Sequence, residues 1–97
     1  IEKGDGVVVS KNDIDNVTRS GVFAIDTTNT LIDNNWIDYV GHRGVYVYNG
    51  NKITIQKNDI DRALGSDPSL NDGIRADNVS NLVIQNNEVG EDGGSNN

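Results

Sequence analysis

The sequence predicts an all-β coil, a solenoid of stacked turns about 23 residues each. Three observations carry this. The chain repeats itself without gaps, its apolar residues alternate with a period of two, and its composition opposes helices. Among 97 residues there are 15 Asn, 12 Asp and 11 Gly, against three Ala and four Leu, while Ile and Val together number 21. β-Branched residues favour strands, and Asn, Asp and Gly favour turns.

The repeat sets the order of the elements. VVVSKNDI from Val7, TLIDNNWI from Thr30, ITIQKNDI from Ile53 and LVIQNNEV from Leu82 align at spacings of 23, 23 and 29. A second set, GVFAI from Gly21, GVYVY from Gly44 and GIRAD from Gly73, follows at 23 and 29. Both sets shift together, so six extra residues fall between Ile60 and Gly73. That stretch holds the only Pro and reads as an enlarged loop.

Each repeat then reads as about three short strands joined by polar turns. Val7, Thr30, Ile53 and Leu82 share one inward column. Val9, Ile32, Ile55 and Ile84 share another, and Ile14, Ile37, Ile60 and Val89 a third. Val22, Val45 and Ile74, and Ala24, Val47 and Ala76, complete the apolar lining. No hairpin dipeptide joins these strands at the right place. A 23-residue repeat with this alternation also leaves no room for a helix. Stacked coils about 4.8 Å apart remain. The coils span roughly residues 7–29, 30–52, 53–81 and 82–97, and the whole of 1–97 reads as a single segment.

One inward column is polar: Asn12, Asn35, Asn58 and Asn87. Amides at the same turn of every coil can bond along the stack and to the turn backbone. They read as a structural asparagine ladder.

The repeats GVFAIDTTNTLIDNNWI, GVYVYNGNKITIQKNDI and GIRADNVSNLVIQNNEV resemble those of the right-handed parallel β-helix of the pectate-lyase-like superfamily. The resemblance covers nearly the whole chain and is specific for fold. It implies a right-handed coil. Members of that superfamily usually have many more coils and carry end caps. Ile1–Gly6 shows no amphipathic cap, and GEDGGSNN after Val89 stops where another Gly-led strand is expected. The sequence therefore reads as part of a longer β-helix, or as a chain that stacks end to end with flanking coils or copies of itself.

The outward residues carry the candidate chemistry. Phe23, Tyr46 and Arg75 share one outward column, and Ile25, Tyr48 and Asp77 the next. Before the glycines lie Ser20, Arg43 and Asp72, preceded by Arg19, His42 and Asn71. The resemblance implies that a polysaccharide lies along this face, in an extracellular or cell-envelope setting. Uronate lyase or C5-epimerase chemistry needs a cation on the sugar carboxylate, a base and an acid. Arg43 or Arg75 would be the cation, His42 the base and Tyr46 the acid. Tyr48, Asp72, Asp77 and Arg19 would contact substrate. The competing reading is structural: Arg43 pairs with Asp72, Arg75 lies over Tyr46 as a cation–π neighbour, and the segment is a tailspike, adhesin or filament repeat without catalysis. Inverting hydrolysis is disfavoured, because no adjacent Asp pair faces the groove: Asp26 and Asp77 are neither in one column nor in neighbouring coils. The Gly41-His42-Arg43-Gly44 segment also departs from the Gly-His-Gly turn of pectin-degrading glycosidases.

A second outward face is acidic, with Asp13, Asp15, Asp38, Asp59, Asp61 and Glu88 around Trp36. It reads as a solvated face, with Ca²⁺ binding as the alternative. Trp36 reads as a contact with another chain or with further coils. The net charge of −7 disfavours nucleic acid as a partner. No apolar run approaches membrane-spanning length. With no Cys there is no disulfide framework and no thiolate zinc site.

Overall fold

The computed structural model describes residues 1–63 and 73–90. The described residues form eight parallel strands: β1 (Val8–Ser10), β2 (Asp13–Val17), β3 (Val22–Asp33), β4 (Trp36–Val40), β5 (Val45–Gln56), β6 (Asp59–Ala63), β7 (Ile74–Gln85) and β8 (Glu88–Val89). They form two ladders, β1-β3-β5-β7 and β2-β4-β6-β8. Every neighbour in a ladder belongs to the next coil.

The expected three strands per coil become two. The Gly-led segment and the following apolar segment run on as one 12-residue ladder in β3, β5 and β7. The chain still turns twice within each of these strands, at residues held in the left-handed region. Lys3, Asp26, Asn49 and Asn78 have φ of 58°, 58°, 58° and 55°. Asn29, Lys52 and Asn81 repeat the bend at 51°, 62° and 52°. A left-handed residue redirects the chain without interrupting pairing to the neighbouring coils. Asn and Asp tolerate this region best. Lys11, Asn34, Lys57 and Asn86 form a third such corner, between the two ladders.

Residues 1–6 already follow the repeat. Glu2 bridges Ile25 and Asp5 bridges Thr28, both in parallel. Ile1 thus heads the column of Ala24, Val47 and Ala76.

The core lies inside the coil. Val22, Ala24, Ile32, Ile37, Val40, Val45, Val47, Ile53, Ile55 and Ile60 are buried. These are the inward columns of the middle coils, with Val40 added. Val17 and Val79 pack against them. Thr27 and Thr30 are buried as well. Thr30 Oγ1 donates to the Thr28 carbonyl at 3.3 Å, whereas Thr27 Oγ1 has no hydrogen-bond partner among the described residues. The same columns come to the surface in the last described coil, where Leu82, Ile84 and Val89 are exposed.

The asparagine ladder is continuous. Asn12, Asn35 and Asn58 each donate twice to the next Asn Oδ1, once from the backbone and once from the side chain, at 2.9–3.1 Å. The amides of Asn35, Asn58 and Asn87 also donate to the carbonyls of Val9, Ile32 and Ile55. Buried amides are thereby satisfied along the stack.

Glycine leads each long strand because the coil is narrow there. A Cβ on Gly44 would lie 2.4 Å from Ile60 Cγ2 and 2.7 Å from the Gly73 carbonyl oxygen.

Candidate functional site

Two stacked turns build the candidate site. The amide of His42 donates to the Arg19 carbonyl at 3.2 Å, and that of Gly21 donates to the Arg43 carbonyl at 3.1 Å. Gly41 permits this approach, since a Cβ there would sit 2.1 Å from the Thr18 carbonyl oxygen. The turns deliver Arg19, Ser20, His42 and Arg43 to the edge of the β3-β5-β7 face. With Phe23 and Tyr46 they line a groove of about 420 Å³.

Register places the aromatic floor. Phe23 pairs with Tyr46, and Tyr46 with Arg75. The Phe23 and Tyr46 rings stack with centroids 5.3 Å apart and planes 9° from parallel. Phe23 is thus part of the floor. The cation on this floor is Arg43, whose guanidinium lies 4.4 Å from the Tyr46 centroid. This corrects the expectation that Arg75 occupies that place. Arg75 instead turns to Asp77, with Nε 3.0 Å from the carboxylate.

Asp77 joins the two coils. Its Oδ2 also accepts the Tyr46 hydroxyl at 3.2 Å. The Arg75 hydrogen bond holds Asp77 below the ordinary carboxylate range. The Tyr46 hydroxyl is pushed above its ordinary value, first by desolvation and then by its bond to Asp77. Tyr46 therefore stays protonated, with its proton directed at Asp77.

Of the candidate residues, Arg19, His42, Arg43 and Tyr46 meet in one groove. Arg75 and Asp77 form a pair at its border. Tyr48 is exposed in the neighbouring outward column, between Ile25 and Asp77. Asp72 and the enlarged loop lie outside the described residues.

The acidic face keeps its expected geometry. Asp13, Trp36, Asp59 and Glu88 share one column, and Asp15, Asp38 and Asp61 the next. Trp36 is 57% exposed. Asp59 is pushed above the ordinary carboxylate range, first by burial and then by Asp61, Glu88 and Asp38. Among the described residues, no group of three or more His, Asp or Glu side chains is placed to hold a metal ion. The carboxylates line up along the stack without converging.

Residues 1–66 match the family described as the right handed beta helix region. The chain belongs to this β-helix family. No curated protein and no solved structure matches it. In this β-helix the family match spans the groove residues Arg19 to Tyr46, and Arg75 and Asp77 lie beyond it. Among the described residues, no helix is long and apolar enough to cross a membrane.

Proposed function

We propose that this β-helix segment binds an acidic polysaccharide of the uronate type along its β3-β5-β7 face, in an extracellular or cell-envelope setting. One observation carries the reading. The stacked Phe23 and Tyr46 rings form an apolar floor, with Arg43 over it and Arg19 and His42 at its rim. Flat rings suit sugar faces, and guanidinium groups suit carboxylates.

Binding is better supported than lyase or epimerase turnover. An acid must hand its proton to substrate. The Tyr46 hydroxyl already donates to Asp77, and its raised pKa opposes proton release. The test is calorimetric titration with polyuronates and with neutral glucans, alongside absorbance of unsaturated uronate product. Binding of polyuronates alone, without product, supports the proposal. Equal binding of neutral glucans, or no binding, defeats it.

A second reading, end-to-end stacking with flanking coils or copies of the chain, is favoured by the exposed Leu82, Ile84 and Val89. Sedimentation across a concentration series tests it. A mass that stays that of the single chain counts against stacking of copies.

A further inference from the structure

Two demands of the coil meet at one dipeptide. Asn49 fills the left-handed corner between Asp26 and Asn78, with φ 58°. Gly50 follows in the column of Thr27 and Val79. A Cβ on Gly50 would lie 2.9 Å from Ile53 Cγ1 and 3.3 Å from Val47 Cγ1, so packing favours glycine. The corner calls for asparagine and the packing for glycine. Asn-Gly occurs once in the sequence. The other described left-handed asparagines precede Val17, Thr30, Asn35, Val79, Leu82 and Asn87, whose side chains shield the next amide nitrogen. Gly50 gives Asn49 no such shield.

We propose that Asn49 is a covalent modification site, converting to aspartate and isoaspartate when its coil opens and protected while the coil is closed. In the first step the backbone nitrogen of Gly50 bonds to Asn49 Cγ. The bond from Cγ to Nδ2 breaks. Ammonia leaves, taking up the proton that Gly50 nitrogen releases. A cyclic imide remains. Water then adds to either imide carbonyl and opens the ring, giving aspartate or isoaspartate. No oxidant or reductant is involved.

The closed coil holds the carboxamide along the stack. Asn49 Nδ2 donates to Asp26 Oδ1 at 3.1 Å, and Asn49 Oδ1 accepts from Asn78 Nδ2. Coils on both sides thus grip the group that must swing onto its own backbone. Gly50 is also paired on both sides, with Thr27 and Val79. Ring closure requires these contacts to break, so its rate follows local opening. Each tenfold of slowing corresponds to about 1.4 kcal/mol of opening free energy.

The product destabilises the site that made it. Aspartate at position 49 replaces a donor to Asp26 with a second carboxylate. Isoaspartate adds a carbon to the backbone within this coil and shifts its register against the coils on either side.

The test incubates the whole chain at mildly alkaline pH, in native buffer and in concentrated urea, and maps the converted sites by peptide mass. In urea, Asn49 converts before any other asparagine. In native buffer its rate falls by at least about tenfold, by the same factor that amide exchange reports for opening at Gly50. Asp26→Ala and Asn78→Ala each raise the native rate several-fold and leave the urea rate unchanged. Equal rates in native buffer and urea for the unmodified chain overturn the proposal. Earlier conversion at another asparagine in urea also overturns it, as does a slowing that disagrees with Gly50 exchange by more than about tenfold.

Discussion

Replacing Asn58 by Leu isolates what the ladder contributes. Asn58 is 2% exposed and makes contacts in both directions. Its Oδ1 accepts the Asn35 backbone amide at 3.0 Å and the Asn35 side-chain amide at 2.9 Å. Its Nδ2 donates to the Ile32 carbonyl at 3.1 Å and to Asn87 Oδ1 at 2.9 Å. Leu removes all four. Asn35 Nδ2 keeps the Val9 carbonyl, and Asn87 Oδ1 keeps the backbone amide of residue 58. The Asn35 backbone amide loses its ladder acceptor and the Ile32 carbonyl loses its amide donor. At about 1–3 kcal/mol for each, the loss is roughly 2–6 kcal/mol. That is a large share of the 5–15 kcal/mol typical of a domain. Asn12→Leu is the comparison. Asn12 is exposed, and Asn35 Oδ1 keeps the residue 12 backbone amide after the change. Its cost should stay below about 1 kcal/mol. Urea unfolding followed by circular dichroism measures both. With a slope of about 1–3 kcal/mol per molar, Asn58→Leu shifts the midpoint by about 1 M or more. Equal shifts for the two variants, or a cost for Asn58→Leu under about 0.5 kcal/mol, would refute the unsatisfied-amide reasoning.

Other consequences follow from the same geometry. Gly44→Ala should destabilise by about 1–3 kcal/mol in the same assay, because its Cβ meets Ile60 and the Gly73 carbonyl. Gly6→Asn, with φ 72° and open space around it, should be nearly silent. Tyr46→Ala should weaken polyuronate binding about threefold to tenfold through loss of the stack, whereas Tyr46→Phe should hold it within about twofold. Asp59 has a raised folded pKa, so its ionisation weakens the fold as pH rises from the unfolded Asp value, near 3.9, through the folded one. Asp59→Asn should therefore raise the melting temperature at pH 7 and do little near pH 3. Asp77 has the opposite sign. Its lowered pKa adds stability above the unfolded value that is lost as pH falls through the folded one, so Asp77→Asn should lower the melting temperature at pH 7 and converge with the parent in acid.

The inward half of the molecule was legible because it repeats. Val22 and Val45, or Ile37 and Ile60, face the same space in successive coils, so spacing alone identifies the column. The asparagine ladder was legible for the same reason. The corners were less so. Lys3, Lys11, Lys52, Lys57 and Tyr39 adopt left-handed φ although their side chains do not ask for it. The stack imposes that geometry from neighbours such as Asn29 and Asn34. The groove was legible in its column membership and illegible in its pairing. Register sets Tyr46 against Arg75 and Tyr48 against Asp77. The Tyr46 hydroxyl nevertheless reaches Asp77, and Arg43 rather than Arg75 covers the ring. Those choices belong to rotamers, which spacing does not encode.

The extra six residues before Gly73 leave no trace in the rung that follows. Asn58 reaches Asn87 at 2.9 Å, the same length as the Asn35 to Asn58 contact. A coil of 29 residues thus closes on the same hydrogen bonds as a coil of 23. The number of residues between β6 and β7 is for that reason separable from the closure of the ladder. A segment of another length inserted in the chain between Ala63 and Gly73 should leave these rungs unchanged.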